Sequence, residues 1–101
     1  MKPHLDIHLA LKALAHLGRL DFLIWLKDPE RYFGLTSTDV QGGVPAGRFE
    51  LEGLSQSAVS QNLAILRRAG LVSSRKERST ILCRRNEENL ATLKLWLASE
   101  I

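Results

Sequence analysis

The sequence predicts a mainly α-helical domain with a small β-hairpin, its elements ordered helix, helix, helix, helix, strand, strand, helix. Apolar residues recur at three- and four-residue steps over most of the chain, glycine and proline fall between those runs, and two short strand-like stretches lie within 71–84. With 101 residues, 45% of them hydrophobic, one compact domain spanning 1–101 is expected.

Leu5, Leu9, Leu14, Leu17, Leu20 and Leu23 lie along a helical stripe from Leu5 to Lys27. Gly18 is the expected junction between two helices there, because glycine weakens a helix interior by about 1 kcal/mol. Asp28-Pro29 closes the second helix, since a residue before proline avoids the helical region. Residues 30–43 carry Gly34, Thr36, Ser37, Thr38, Asp39 and the Gly42-Gly43 pair with little periodicity, and read as a loop. A short helix is expected from Pro45 to about Glu52, with Val44, Phe49 and Leu51 inward and Gly53 as its left-handed end. Leu54 follows as a buried plug. Ser55 is placed to cap a helix running from Gln56 to Ala69, which Gly70 ends. Strands are expected at Leu71–Arg75 and Thr80–Arg84, with Lys76-Glu77-Arg78-Ser79 as the tip between them. Asn86 caps a closing helix that starts on Glu87 and Glu88 and carries Leu90, Leu93, Leu97 and Ile101 on one stripe, with Trp96 beside it. A short helix, a glycine turn and a capped helix form a helix-turn-helix, and the hairpin behind it is a wing.

Cys83 is the single cysteine, so no disulfide can form within the chain, as expected of a cytoplasmic protein. His4, Asp6 and His8 interrupt any signal-peptide core, and every apolar run falls well short of the roughly 18 residues of a membrane span. The net charge of +3 is unevenly spread. Between Ser55 and Arg85 stand seven basic residues (Arg67, Arg68, Arg75, Lys76, Arg78, Arg84 and Arg85) against one acid, Glu77, so the rest of the chain is net acidic. Such a division fits a surface built for a polyanion.

On the helix from Gln56, a 100° step places Val59, Leu63 and Leu66 together, facing the core. Ser57, Gln61, Ala64 and Arg68 fall opposite, flanked by Ser60 and Arg67. The outward face is thus uncharged and polar at its amino end and cationic at its carboxyl end. Gln56 and Gln61 carry amides able to pair bidentately with adenine, and Ser57 and Ser60 can meet a base edge or a phosphate. Arg67 and Arg68 are expected at phosphates, with Arg75, Lys76 and Arg78 reaching an adjacent groove or backbone. Double-stranded DNA is therefore the expected partner. A winged helix used for protein contact, or a non-specific architectural DNA binder, stays open on the residues alone.

The run Gly53-Leu54-Ser55-Gln56-Ser57-Ala58-Val59-Ser60-Gln61-Asn62-Leu63, followed by Leu66-Arg67-Arg68-Ala69-Gly70-Leu71-Val72, resembles the signature of the ArsR-type winged-helix repressors. Leu11-Lys12-Ala13-Leu14-Ala15 and Gly18-Arg19-Leu20 resemble that family's first two helices. The resemblance implies a homodimer joined through the first and last helices, here through Leu5, Leu9, Leu90, Leu93, Trp96 and Leu97, that represses from an inverted repeat until a signal relieves it. It implies base reading by Gln56, Ser57, Ser60 and Gln61, with Ser55 at the helix start and a wing from Arg75 to Ser79. The paired cysteines of metal-sensing members have no counterpart in Val44-Pro45-Ala46, and the last helix has no histidine, so no metal-sensing role carries over. The family's wing glycine is replaced near Arg78.

His4 and His8 are adjacent on a helix face, with His16 two turns along, but a metal site needs three or four ligands. Cys83 has arginine neighbours that could activate a thiol sensor, whereas strand alternation turns it inward as a small apolar side chain. No nucleophile with a base partner and no phosphate-cradling glycine loop is present, so neither an enzyme nor a cofactor is expected. The residues name no effector.

Overall fold

Local chemistry sets most of the element boundaries. The computed structural model describes residues 5–35 and 42–101. Helix α1 (Ile7–Leu14) opens on Asp6, whose carboxylate accepts from the Leu9 amide at 3.0 Å and satisfies one of the free N–H groups of a helix start. Helix α2 (Leu17–Lys27) opens on His16, whose Nδ1 accepts from the Gly18 amide at 3.1 Å. The break between the two therefore falls at Ala15-His16, and Gly18, expected at the junction, lies inside the first turn of α2. The cap, and not the glycine, divides the leucine run.

Asp28, expected only to close α2, also caps a further helix, α3 (Pro29–Phe33). Its carboxylate accepts from the Arg31 amide at 3.3 Å, and Pro29 stands at the first helical position, where its missing N–H is no loss. The expected loop 30–43 is thus helical at its start, while 36–41 lie outside the described residues. Strand β1 (Val44–Pro45) was not expected, because two residues ending in proline carry no alternation; it pairs antiparallel with Leu82 and Cys83. Strands β2 (Val72–Glu77) and β3 (Thr80–Arg85) form the hairpin, giving a three-stranded antiparallel sheet in the order β1-β3-β2. Glu77 pairs with Thr80. The wing tip is therefore Arg78-Ser79 alone, shorter than the expected Lys76-Glu77-Arg78-Ser79.

The short helix expected from Pro45 is a 3₁₀ helix, Ala46–Glu52. Phe49 is buried, but Leu51, expected inward, is 71% exposed. Two residues further along a helix is about 200–240° around its axis, so both could not face the core. Gly53 ends this helix at φ +88°. Leu54 is half-buried against the core. Ser55 then caps α4 (Gln56–Arg68), its Oγ accepting from the Ala58 amide at 3.1 Å. Asn86 caps α5 (Glu87–Glu100), its Oδ1 accepting from the Asn89 amide at 3.0 Å.

Phe22, Phe49, Leu66, Leu71 and Cys83 are fully enclosed. The Phe22 and Phe49 rings stack with centroids 4.3 Å apart, and Phe33 meets Phe49 edge-on at 5.3 Å. This cluster seats the 3₁₀ helix on α2. Val59, Leu63 and Leu66 are buried beneath α4, the face that the 100° step assigns to the core. Arg19 ties the end of α1 to the flank of α4, donating from Nε to the Ala13 carbonyl at 2.6 Å and from Nη1 to Asn62 Oδ1 at 3.5 Å. Gly70, at φ +77°, has no room for a side chain: a Cβ there would stand 2.9 Å from Asn89 Nδ2. That Nδ2 donates to the Gly70 carbonyl at 2.9 Å, and the Asn86 amide donates to the Leu71 carbonyl at the same distance.

Candidate nucleic-acid interface

The cap at Ser55 and the three inward residues of α4 orient its remaining side chains. Gln56, Ser57, Ser60 and Gln61 are all exposed, and Ala64 between them is half-buried. The outward face is therefore amides and hydroxyls at the amino end, kept low in its middle by a methyl group. Arg67 and Arg68 are exposed at the carboxyl end. Arg67 is not free-standing: its Nη1 donates to Ser74 Oγ on β2 at 2.9 Å, which joins helix to wing. Ser55 Oγ is engaged as an acceptor in the cap, leaving its hydroxyl hydrogen available to a phosphate.

On the wing, Lys76 and Arg78 are exposed. Arg75 pairs with Glu77, Nη2 to Oε2, at 3.0 Å. Both side chains remain well exposed, so the pair is weak in water and can open to a stronger anion. Arg78 takes the left-handed conformation, φ +59°, at the first position of the tip, alone among the described non-glycine residues. Arg85, counted with the basic half, has no place in this surface. Its side chain is 8% exposed; Nε and Nη2 donate to the Glu87 carboxylate at 2.9 and 3.3 Å, and Nη1 donates to the Leu23 carbonyl at 3.0 Å. The Arg85 hydrogen bond holds the Glu87 carboxyl below the usual glutamate range.

Between α4 and the wing lies a cleft of 390 Å³, lined by Gly47, Glu50, Gln56, Ser60, Ser79 and Thr80 among others. Helical periodicity identifies Gln56 and Ser60 but not Glu50, Ser79 or Thr80, because the cleft forms only where the hairpin meets the 3₁₀ helix and α4.

The remaining candidates are placed as follows. Cys83 is 0% exposed, and burial pushes its thiol up to about 11 despite the positive charge of Arg67. His4 lies outside the described residues, His8 is exposed on α1, and His16 serves as a helix cap. Among the described residues, no group of three or more His, Cys, Asp or Glu side chains is placed to hold a metal. Leu90 and Leu93, expected at a dimer interface, are buried in the core of the chain itself, 5% and 2% exposed. Leu5, Leu9, Trp96 and Leu97 are half-buried, and Leu17, Leu20, Ile24, Leu95 and Ile101 are exposed. No helix among the described residues is long and apolar enough to cross a membrane.

A capped helix with a polar outward face, preceded by a glycine turn and followed by a basic hairpin, defines a winged-helix transcriptional regulator of the helix-turn-helix type. Residues 50–74 match the family described as "Bacterial regulatory protein, arsR family". The chain is 35% identical over 94 residues to "Uncharacterized HTH-type transcriptional regulator YbzH" of Bacillus subtilis (strain 168), covering 89% of this chain and 93% of that protein. It is 44% identical over 71 residues to "Transcriptional activator HlyU" of Vibrio cholerae, covering 70% of this chain and 55% of that one. Among solved structures, HlyU from Vibrio cholerae N16961 superposes with a TM-score of 0.60 at 35% identity, covering 86% of this chain and 83% of the other. HlyU from Vibrio vulnificus CMCP6 gives 0.58 at 35% identity, covering 92% and 85%. The chain belongs to the ArsR-type family of helix-turn-helix transcriptional regulators.

Proposed function

We propose that this chain is a homodimeric, sequence-specific binder of double-stranded DNA that acts as a repressor from an inverted repeat. Each subunit lays α4 in the major groove of one half-site, with the β2–β3 tip beside it. Gln56, Ser57, Ser60 and Gln61 read base edges, while Ser55, Arg67, Arg68, Arg75, Lys76 and Arg78 meet phosphates. The observation that carries this reading is the exposed outward face of α4, standing next to an exposed cationic hairpin.

Half-buried Leu5 before α1 and Leu9 on it, with Trp96 and Leu97 on α5, whose Leu90 and Leu93 are buried in the core, offer the apolar area for a second copy. Two-fold pairing of subunits demands a two-fold operator. A duplex partner also makes the cytoplasm the place of action. Repression needs only occupation of the promoter, whereas activation needs a further contact with polymerase. The Vibrio cholerae relative is named as an activator, which favours activation as the second reading, and transcription from a template carrying the selected operator separates the two.

Selection of preferred duplexes from a random pool tests the function. The expected result is an inverted repeat bound by two chains, with affinity falling steeply as salt rises. Binding with that salt dependence but no preferred sequence would reduce the protein to an architectural binder. No binding even at low salt would falsify the DNA-reading function and leave a protein-contact module.

A further inference from the structure

The cleft between α4 and the wing contains an acid to which the proposed contacts give no role. Its walls include Gly47 and Glu50 from the 3₁₀ helix, Gln56 and Ser60 from α4, and Ser79 and Thr80 from the hairpin, the rest of the lining being apolar. Among the described residues no cation lines it, although Lys76 and Arg78 stand exposed on the same hairpin. A phosphate is attracted by cations and repelled by a carboxylate, so this cleft is not built for the DNA backbone. The backbone carbonyl of Glu50 accepts from the Gly53 amide at 3.1 Å, and its side-chain Oε2 lies 4.0 Å from where a Cβ on Gly47 would stand, on the side of the preceding turn.

An ionised carboxylate only accepts hydrogen bonds. In the major groove, cytosine presents an amino donor with no acceptor on its own edge, whereas adenine and guanine place N7, an acceptor, where a carboxylate is repelled. We propose that Glu50 is a specificity-determining residue that accepts from the N4 amino group of one cytosine in each half-site, adjacent to the bases faced by Gln56 and Ser60. This assignment rests on the DNA-reading function proposed above.

Parallel selections from one random duplex pool, using the wild type, Glu50→Ala and Glu50→Gln, test it. Glu50 is exposed, so neither substitution disturbs the core, and thermal melting verifies that both variants are folded. The wild type is expected to enrich one cytosine per half-site. Glu50→Ala should lose that enrichment by about tenfold, and Glu50→Gln should shift it towards adenine, whose N6 and N7 an amide can pair with, while the rest of the motif is kept. The same motif from all three proteins overturns the role of Glu50 and leaves the DNA-reading function standing, including the case where lost repulsion merely raises affinity for every duplex. A wild type that enriches no motif overturns both.

Discussion

Gln61 projects from α4 on the side away from Val59, Leu63 and Leu66, and contributes nothing to the core. Gln61→Ala is therefore expected to weaken binding to the preferred duplex by ~1–3 kcal/mol while sparing random DNA. Equal losses on both duplexes in gel-shift titrations would remove it from the base-reading set. Cys83 makes the opposite case. Its thiol, raised to about 11 by burial, stays protonated near neutrality, and its sulfur is enclosed. A disulfide reagent is expected to modify the native chain far more slowly than the urea-unfolded chain; comparable rates in the two states would contradict the burial. Both side-chain directions were legible in sequence, because alternation on a strand and the 100° step on a helix are local rules. Arg85 was not. Its charge reads as part of the basic half, and only the approach of the Leu23 carbonyl and of Glu87 turns it into a structural tie.

At the scale of elements, the wing tip carries strain that can be measured. Arg78 occupies a left-handed position that glycine adopts freely. Arg78→Gly should therefore stabilise the fold by about 1 kcal/mol, raising the melting temperature by roughly 4–8 °C. The same substitution removes a cation, so it should weaken binding to preferred and random duplexes alike. An unchanged or lowered melting temperature would show that the tip is unstrained. At the start of α5, the Glu87 carboxyl is depressed by its hydrogen bond from Arg85. The stability it supplies is complete above the ordinary glutamate pKa and is lost as pH falls through the depressed value. Melting temperatures followed from about pH 7 down to about pH 3 should fall more for the wild type than for Glu87→Gln; parallel curves would mean the pair adds nothing. The helix starts at Ser55 and Asn86 were readable from their capping side chains, whereas those capped by Asp6, His16 and Asp28 were not. Strand β1 was not, since its pairing with Leu82 and Cys83 is decided nearly forty residues away along the chain. Asp28-Pro29 signalled both an end and a beginning, and only the first was evident without the fold.

For the whole molecule, the unburied apolar area is the quantity to test. Leu17, Leu20, Ile24, Leu95 and Ile101 remain exposed on the chain taken alone. Sedimentation at micromolar concentration is expected to give a species of twice 11.3 kDa. A monomer under those conditions would argue against a two-fold operator. The order of helices and hairpin was largely available from sequence, since apolar periodicity, the turn glycines and the caps at Ser55 and Asn86 mark most of them. The cleft beside Gln56 was not, because its walls meet only after the sheet and the 3₁₀ helix have packed.

The two bonds joining residues 70 and 71 to Asn89 and Asn86 bind the tail of α4 to the head of α5 without slack. Any tilt of α5 must either break that clasp or carry α4 along with it. For a helix that reads a groove as proposed, the angle of entry would then follow α5, and two α5 helices paired in the proposed dimer would fix the span between the two α4 helices.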